Sequence, residues 1–514
     1  MKLLIGLYRS QPGWEIVLQQ EGLQYEIIKL EKSISIESYS VIIINDVLDN
    51  EQCSRVKDFT QNGGAVLFSS SAYAETTNNK FRSKNIKYLV MPSDSMFAEL
   101  GLIDFHTKFI QLKDRSFGII DRTLNIQSKK IGKGNFLFIP FDVNAEIMDA
   151  NSIRKKFWVE RKELPSEIIA KVSKGKIRKI LSKTIEFLYL QRDLPFVQLW
   201  QFPKTWKKLF MFRVDTDHCS TRQALELYKI CKKNNICGTW FVDTVSKETL
   251  KNAYKKMDDQ EIALHCRRHL VFHDYKTNLE NIKNGLEDLK EVGVEVTGFA
   301  SPFGDWNENL GKVLEKFDFG YSTEFTLDYD DLPFYPYIQG KKTSVLQIPI
   351  HPISTGRLHR SHFTDEEKWQ YFKKFIDRQI ALNDPIFIYH HPSHGQLDLF
   401  NKIFEYINSK NINKMTYKDF SDWWKKRLSF QYKLKFENGE INCNFETESS
   451  EFSFKISCLN KFAITTLKKS IKLDELNWKK QGKVEWIPYL ERTRRKHWRD
   501  ILYNYESKKG KRNV

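Results

Sequence analysis

The stretch that decides the fold is residues 209–218, LFMFRVDTDH. A short apolar run ends there in two carboxylates, Asp215 and Asp217, with a single threonine between them. This pattern predicts a buried strand that presents both acids at its carboxyl end, where parallel α/β folds place their chemistry. Two acids around a threonine suit a hydrophobic core poorly, but they suit a metal site that has a spare base beside it.

Outward from this stretch, strand-like and helix-like segments alternate from residue 206 to residue 428. Apolar runs such as GTWFVD (238–243), EIALHC (261–266) and IFIYHH (386–391) are separated by segments with helical periodicity. About six or seven repeats of a strand followed by a helix, within roughly 220 residues, predict a distorted (β/α) barrel rather than an open sheet.

Residues 1–150 show the same alternation, which predicts a separate, doubly wound parallel sheet. The order of buried strand, loop, helix, Gly63-Gly64 and strand resembles the flavodoxin-like fold of the glutamine amidotransferases. No cysteine follows a strand as a nucleophile, because Cys53 falls inside the helix expected at 50–62. The resemblance therefore implies a non-catalytic binding or assembly domain.

Two further segments complete the chain. Residues 151–205 form a basic connector with an amphipathic helix near 176–190, followed by the aromatic run LPFVQLWQFP. We expect an extended strap with buried aromatics here, a membrane-surface helix being the weaker alternative. Residues 429–514 alternate around an Asn-Gly turn, which predicts a small antiparallel β module. The basic tail at 490–514 is expected to be a solvated helix with a frayed end, contact with an anionic surface being the alternative.

Composition limits the partners and the compartment. The net charge is +17, from 82 Lys+Arg against 65 Asp+Glu, which either reflects a lysine-rich background or favours anionic partners. No arginine-rich arm or zinc-finger spacing accompanies that charge, so nucleic acid is not expected. Seven scattered cysteines without a CxxC pair indicate a reducing compartment. With no signal peptide and no membrane-spanning apolar run, we expect a cytoplasmic protein, peripheral membrane attachment being an alternative. Its oligomeric state is left open.

A pair of histidines follows the predicted strand at 261–266. His265 and His269 are four residues apart, and on one helical turn their Cβ atoms would lie about 5–6 Å apart. Both imidazoles could then bind one ion together with Asp217, and two histidines with one carboxylate and an open position form a hydrolytic metal site. His273 would lie about 12 Å along the helix from His265, so we expect it to be structural or substrate-facing.

Four motifs in this order resemble the polysaccharide deacetylases, the carbohydrate esterases with NodB homology. They are RVDTDH (213–218), LHCRRH (264–269), GFASPFGDWN (298–307) and IFIYHHP (386–392). The resemblance covers about residues 205–427, including the terminal DFSDWW segment. Each motif is modest by itself, whereas the ordered set is specific.

The resemblance implies a role for each matched residue. Asp215 would be the general base, and Asp217, His265 and His269 would hold a divalent metal. Zn²⁺ is the expected ion, with Co²⁺ or another divalent ion as alternatives.

The last two motifs supply the remaining groups that the resemblance implies. The backbone amide of Phe303 would help to hold the oxyanion, with Pro302 and Trp306 beside it in the substrate-binding segment. His390 or His391 would be the general acid, and the doublet leaves the register open. Trp240, Trp306 and Tyr321 are candidate surfaces for stacking on sugar rings, although aromatics in barrels are more often core.

One departure from the family pattern concerns the base. The third motif usually opens with an arginine that orients the catalytic aspartate, and this chain has Ala300 there. Arg213 and Arg267 are candidate substitutes.

The sequence therefore favours a metal-dependent hydrolase that removes an N-acetyl group from a sugar or polysaccharide precursor and releases acetate. Its substrate could be anionic through a nucleotide or lipid link. The alternatives are a catalytically impaired protein that binds a glycan or a partner, and a hydrolase of another C–N bond or of an O-acetyl ester.

Overall fold

The computed structural model describes residues 1–77, 81–113, 116–446, 449–458, 461–480, 484 and 498–509. The chain forms two compact units whose segments interleave. Unit 1 comprises Met1–Asp149, Val172–Thr205 and Lys425–Pro488, and unit 2 comprises Ala150–Lys171, Trp206–Trp424 and Tyr489–Val514. The connector expected at 151–205 is thus divided between the units, and the domain boundaries expected at 150, 205 and 428 stay predictions.

The first segment of unit 1 contains a seven-stranded sheet flanked by helices. Its elements, with a separate β5–β6 hairpin, are β1 (Ile5–Leu7), α1 (Pro12–Gln20), β2 (Tyr25–Ile27), β3 (Val41–Ile44), α2 (Asn50–Gln61), β4 (Ala65–Phe68), α3 (Ser70–Thr77), β5 (Phe81–Val90), β6 (Leu102–Leu112), β7 (Gly118–Asp121), β8 (Ile126–Ile131), β9 (Gly134–Phe138) and α4 (Val143–Ile147). The sheet order is β2-β1-β3-β4-β9-β8-β7, in which β8 and β7 are antiparallel. The five parallel strands have the doubly wound order of flavodoxin-like folds, as predicted.

Local chemistry explains the ends of α2. Asp49 and Gln52 form a reciprocal capping box at its start, which satisfies two backbone amides that the helix itself cannot. Gly63 then adopts a φ of 112°, a conformation that stops the helix and that glycine tolerates best. The helix ends within two residues of the predicted boundary.

Residues 150–205 contribute the antiparallel hairpin β10 (Ser152–Lys156) and β11 (Ser166–Ala170), then α5 (Lys174–Leu190) and β12 (Phe196–Leu199). Helix α5 buries Ile177, Ile180 and Leu181 completely. Because its apolar face is already covered, the alternative of a membrane-surface helix at 176–190 is wrong.

Unit 2 is built around a curled parallel sheet. Its elements between 206 and 429 are β13 (Leu209–Asp215), α6 (Thr221–Lys233), β14 (Gly238–Asp243), α7 (Lys247–Asn252), β15 (Glu261–Cys266), α8 (Tyr275–Glu291), β16 (Gly298–Phe299), α9 (Glu308–Lys316), β17 (Tyr321–Ser322), β18 (Tyr337–Ile338), β19 (Lys341–Lys342), β20 (Leu346–Gln347), α10 (Thr355–Arg360), α11 (Asp365–Leu382), β21 (Ile386–His390), α12 (Leu397–Ser409), β22 (Asn413–Lys414) and α13 (Tyr417–Ser429). The order is β20-β17-β16-β15-β14-β13-β21, with β22 also on β13, and the neighbours are parallel. Among the described residues no ladder joins β20 to β21, so the predicted distorted barrel is an open half-barrel.

Strand β13 lies between β14 and β21, one place from the end of this sheet, and is buried along its whole length. Phe210, Phe212 and Val214 belong to the hydrophobic core on the outer face, where the Phe212 ring lies 5.0 Å from that of Phe404 in α12. Since side chains alternate along a strand, Arg213 and Asp215 point to the opposite, inner face. The predicted exit of two acids from a buried strand is therefore confirmed.

The last described elements are β23 (Tyr432–Glu437), β24 (Glu440–Phe445), β25 (Ser453–Cys458), β26 (Lys461–Thr466), β27 (Ser470–Lys472), β28 (Lys479–Lys480) and α14 (Trp498–Lys509). Asn438 and Gly439, with φ of 51° and 79°, join β23 to β24 in the predicted hairpin. The run predicted as a strap contains β12, which pairs with β25 as a sheet strand. In the tail a helix is described only at 498–509; the rest of the predicted solvated end, 490–497 and 510–514, lies outside the described residues.

Two expectations from composition can be compared with the structure. All seven cysteines are free, in keeping with their scattered spacing. In the part of the chain that the structure describes, no helix combines the length and the apolar character needed to cross a membrane.

Candidate metal centre and active site

The carboxyl ends of β13, β15 and β21 converge on a pocket of about 80 Å³ in unit 2. The loop that follows β16 and the short helix α10 complete its wall. The lining residues are Glu167, Asp215, Asp217, His265, His269, Phe303, Gly304, Phe325, Ser354, Gly356, Arg357, Arg360, Tyr389, His391 and His394.

Asp217, His265 and His269 bring three ligand atoms within 4.8 Å of one another. The Nε2 atom of His265 lies 3.2 Å from Asp217 Oδ1, and that of His269 lies 2.9 Å from the same oxygen. Burial opposes ionisation of Asp217, but the charges of His269 and His391 hold its pKa well below the usual range. The three residues predicted to form one ligand set therefore lie together.

The prediction that His265 and His269 lie on one helical turn is wrong. His265 ends strand β15, Cys266 adopts a φ of 157°, and His269 lies in an irregular loop before α8. Asn281 of α8 shapes that loop, because its side chain accepts a hydrogen bond from Arg268 N and donates to the carbonyls of Arg268 and Leu270. The two imidazoles converge through this loop rather than through helical periodicity.

The donor set fits a cation on an observation at His265. Its Nδ1 lies 2.7 Å from the carbonyl oxygen of Ala300, which can only accept, so the proton sits on Nδ1. The Nε2 lone pair then faces the Asp217 carboxylate inside a site where His265 is 1% exposed. Positive charge between a carboxylate oxygen and an imidazole nitrogen this close is favourable, and an N/O set of this kind suits Zn²⁺ or a similar divalent ion.

Asp215 is held by Arg213 of its own strand. Nε and Nη2 of the guanidinium donate to the two Asp215 oxygens at 2.6 and 2.8 Å, and Nη1 donates to the Thr323 carbonyl at 2.8 Å. Arg213 is fully buried, so the bidentate pair fixes the plane of the carboxylate. Two arginines were candidates to replace the arginine that the family pattern has where this chain has Ala300. Arg213 pairs with Asp215, whereas Arg267 pairs with Asp288.

His390 and His391 point in opposite directions at the end of strand β21, because side chains alternate along a strand. Nδ1 of His390 lies 3.0 Å from Thr355 Oγ1, Nε2 lies 2.9 Å from the Gly395 carbonyl, and the ring packs 4.1 Å from Phe400. His391 faces the pocket, with Nε2 at 3.2 Å from Asp217 Oδ2. Burial lowers the pKa of His391, against the opposing charges of Asp217 and Asp215. His390 is therefore a core residue and His391 belongs to the site.

The loop after β16 contributes Phe303 to the pocket wall. Phe303 adopts φ 59° and ψ 11°, in the left-handed region, and its ring is 40% exposed at 5.1 Å from the His269 ring. Gly304 follows it, and a Cβ there would collide with the Phe325 ring. Pro302 is buried and Trp306 is not among the lining residues, so of the three predicted residues only Phe303 lines the pocket.

Four ionisable lining residues, Glu167, Arg357, Arg360 and His394, were not anticipated from the sequence. Glu167 comes from the β10–β11 hairpin and forms a buried ion pair with Arg357 of α10, beside Arg360. His394 follows β21, and burial lowers its pKa to about 4. His394 lies three residues after His391, and this spacing could have marked it as a site residue in the sequence. Nothing in the sequence indicates that the β10–β11 hairpin contacts α10.

The other candidate residues lie elsewhere. His273 is exposed in the loop before α8. Trp240 and Tyr321 are 0% and 1% exposed. These two aromatics are therefore core residues and cannot stack on a sugar.

Comparison with known proteins gives structural likeness only. No protein-family model matches the chain, and no curated protein matches it. A solved structure of a candidate polysaccharide deacetylase from Mycobacterium smegmatis is similar at 16% identity and a TM-score of 0.36, covering 44% of this chain and 93% of that one. A family 4 carbohydrate esterase from Streptomyces lividans is similar at 12% identity and a TM-score of 0.28, covering 41% of this chain and 91% of that one. A family 4 pseudoenzyme from Bacillus anthracis is similar at 12% identity and a TM-score of 0.31, covering 43% of this chain and 68% of that one. At these TM-scores the likeness carries no argument about function, which rests on the geometry of the site.

Proposed function

We propose that the protein is a metal-dependent hydrolase that removes the N-acetyl group of a sugar or polysaccharide precursor and releases acetate. One arrangement carries the proposal. The Asp217 carboxylate lies within 3.2 Å of His265, His269 and His391, and a second carboxylate, Asp215, stands beside it in a bidentate pair with Arg213.

Asp217, His265 and His269 would hold the metal, with Zn²⁺ as the favoured ion and Co²⁺ or another divalent ion as alternatives. A divalent ion in this position supplies Lewis-acid polarisation of an acyl carbonyl and a lowered pKa for water. The Ala300 carbonyl orients His265 by accepting from its Nδ1, as outer hydrogen-bond partners of metal-binding histidines do.

Asp215 would act as the general base that accepts a proton from the attacking water. Each of its oxygens already accepts one N–H from Arg213, which leaves a further lone pair on each oxygen. The guanidinium keeps the carboxylate oriented in the ground state, so the base is preorganised for proton transfer.

Two groups would serve the later stages. The N–H of Phe303, on a loop braced by hydrogen bonds from Ser301 N to Glu324 and from Thr326 N to the Gly304 carbonyl, would donate to the developing oxyanion. His391 would hold a proton on Nε2, beside Asp217 Oδ2, and pass it to the leaving amine nitrogen.

The size and charge of the pocket suggest how a substrate would lie. A cavity of about 80 Å³ admits an acyl group, so the sugar ring would lie at the mouth beside the exposed Phe303 ring. The chain's net charge of +17 favours a substrate with an anionic substituent, such as a nucleotide or lipid phosphate. We place this activity in the cytoplasm and assign 1–150 an amidotransferase-like binding fold without catalysis.

Acetate release tests the proposal. The purified chain, loaded with Zn²⁺ or stripped with a chelator, is incubated with a panel of N-acetyl and O-acetyl sugars. We expect release from at least one N-acetyl sugar only in the loaded sample. Asp215→Asn should keep the metal and lose the activity, and Asp474→Asn, at an exposed turn of unit 1, is the matched control.

Other outcomes would replace the proposal. Release from O-acetyl sugars alone would make the protein an esterase. No release from any substrate, with metal still bound by both wild type and Asp215→Asn, would favour a protein that binds a glycan or partner without turnover.

A further inference from the structure

The turn that carries Asp217 has an unusual backbone. Strand β13 ends at Asp215, and Asp217 and His218 then adopt φ of 35° and 58°. Two successive residues with side chains in the left-handed region are strained, because that region suits glycine and costs other residues free energy. The turn keeps this shape only if neighbouring groups stabilise it, and the direction of the Asp217 carboxylate depends on that shape.

Asp243, the last residue of β14, makes the hydrogen bonds that stabilise the turn. Its Oδ2 accepts from His218 N at 2.7 Å and from Thr216 Oγ1 at 3.1 Å, and its own N donates to Thr216 Oγ1 at 3.0 Å. Thr216 N also donates to the Phe241 carbonyl at 3.1 Å. Asp243 is 6% exposed and Thr216 is 0% exposed, so water has little access to these bonds.

Asp243 also contacts the segments that carry the two histidine ligands. Its Oδ1 lies 3.4 Å from His218 Nδ1, and the His218 ring meets the His269 ring edge-on at a centroid distance of 5.5 Å. In the β14–β15 ladder Asp243 pairs with Cys266, the residue that follows His265, at the point where the register shifts. One buried carboxylate therefore lies behind the segments of all three predicted ligands.

We propose that Asp243 is a positioning residue of the metal centre, which fixes the direction of the Asp217 carboxylate by stabilising the turn at 216–218. It acts through hydrogen-bond geometry rather than through its charge, because the groups that it binds in this turn are a neutral N–H and a neutral O–H. This inference rests on the metal site proposed above and adds a residue that is not among those lining the pocket.

Zinc affinity of the full chain, measured by competition with a chelator, tests the proposal. Asp243→Ala should bind Zn²⁺ about 10–100-fold more weakly, as expected when an outer hydrogen-bond partner of a metal site is lost. The visible absorption spectrum of its Co²⁺ form should change as well. Asp243→Asn should stay within about threefold of wild type, since its amide oxygen can accept the same two hydrogen bonds.

Asp121→Ala is the matched control. Asp121 is also 6% exposed at the end of a strand, in unit 1, and it accepts from Ser95 Oγ at 2.6 Å and from Leu124 N at 2.8 Å. This variant should lose stability in urea, as Asp243→Ala does, and keep the zinc affinity and the Co²⁺ spectrum of wild type. If Asp243→Ala does not fold, Thr216→Val replaces it, because it removes the hydroxyl that bonds Asp243 twice and should weaken zinc binding several-fold.

Three results would overturn the proposal. The first is wild-type zinc affinity with an unchanged Co²⁺ spectrum in Asp243→Ala or, where that variant does not fold, in Thr216→Val. The second is zinc binding by Asp243→Asn as weak as that by Asp243→Ala, which would assign the effect to charge. The third is an equal loss in Asp121→Ala, which would assign it to general stability. Absence of zinc binding by wild type would overturn the metal site and the proposed function together, so the two failures are distinguishable.

Discussion

The edges of the two parallel sheets, one in each unit, use polar side chains in opposite ways. In unit 1 the residue after β3 is Asn45, whose Oδ1 accepts from Arg9 N at 3.0 Å and whose Nδ2 donates to the Arg9 carbonyl at 2.7 Å. Its own carbonyl accepts from Gln11. The donors and acceptors of Asn45 are matched, so this neutral side chain braces two loops.

In unit 2 the corresponding edge gathers acceptors. The Asp217 carboxylate and the His265 Nε2 lone pair face each other, and a second carboxylate, Asp215, lies beside them. The difference teaches that a strand end becomes a candidate site for chemistry when it gathers a carboxylate and imidazoles close enough to share one cation. The experiments below test this contrast, from the largest expected effect to the smallest.

Removing the shared carboxylate should have the largest effect. Asp217→Ala is expected to lose stoichiometric zinc and to lower acetate release by about 10³-fold or more, since Lewis-acid stabilisation is worth several kcal/mol. Metal content of the purified protein and initial rates measure this. Asn45→Ala, at the braced edge, should keep the zinc and change the rate less than about twofold. Full zinc occupancy in Asp217→Ala would remove the contrast between the edges.

The next test concerns the Arg213–Asp215 pair. Arg213→Leu leaves a buried carboxylate without its partner, and we expect the free energy of unfolding to fall by about 3–5 kcal/mol. Urea denaturation measures this. The double variant with Asp215→Leu should recover most of that stability while acetate release stays absent. Equal destabilisation in the single and double variants would show that the guanidinium acts through packing rather than through its charge.

The pH dependence of stability should reveal Asp305. Burial raises its pKa to about 6, against the opposing hydrogen bond from Tyr503. Because the folded-state pKa lies above the unfolded-state value, the stabilisation of the protonated form is complete below about pH 4 and is lost as pH rises through 6, by at most about 3 kcal/mol. Asp305→Asn should remove this loss, so its advantage over wild type in urea denaturation should grow from pH 4.5 to pH 7.5. A constant difference across that range would contradict the prediction.

The smallest effect is expected at Tyr503. Tyr503→Phe keeps the ring against Phe303 but removes the hydroxyl that bonds Val271 N and Asp305, at a cost of about 1 kcal/mol for each bond. Amide exchange in α14 should become faster and acetate release should fall less than about tenfold. Unchanged amide exchange in α14 would show that these two hydrogen bonds do not hold the helix in place.

Much of the site could be predicted because strand ends are visible in a sequence. The apolar run at 209–214 predicts a strand that ends at Asp215, with Asp217 just beyond it. The strand that ends near His265 likewise predicts that this histidine lies at the same edge of the sheet. Choosing His391 over His390 needed the alternation of β21, which depends on the register with β13. Arg213 could have been preferred over Arg267, since residues two apart on a strand share a face.

Other parts of the site depend on contacts that no local pattern encodes. The path of the chain from His265 to His269 is set by Cys266, with its unusual φ, and by Asn281 on the next helix. Glu167 reaches the pocket from a hairpin that precedes β13 by some forty residues of chain, and it meets α10 only in the folded unit. Long-range packing of this kind overrides local pattern, which is why that stretch looked like a plain connector.

The origin of Arg213 has a kinetic consequence. A base whose arginine comes from the loop after β16 would lose its counter-ion whenever that loop opened to admit substrate or release product. Here the two residues sit on one strand, two positions apart, with the guanidinium also anchored to the Thr323 carbonyl. A movement of the loop that carries Phe303 would therefore leave the Arg213–Asp215 pair in place.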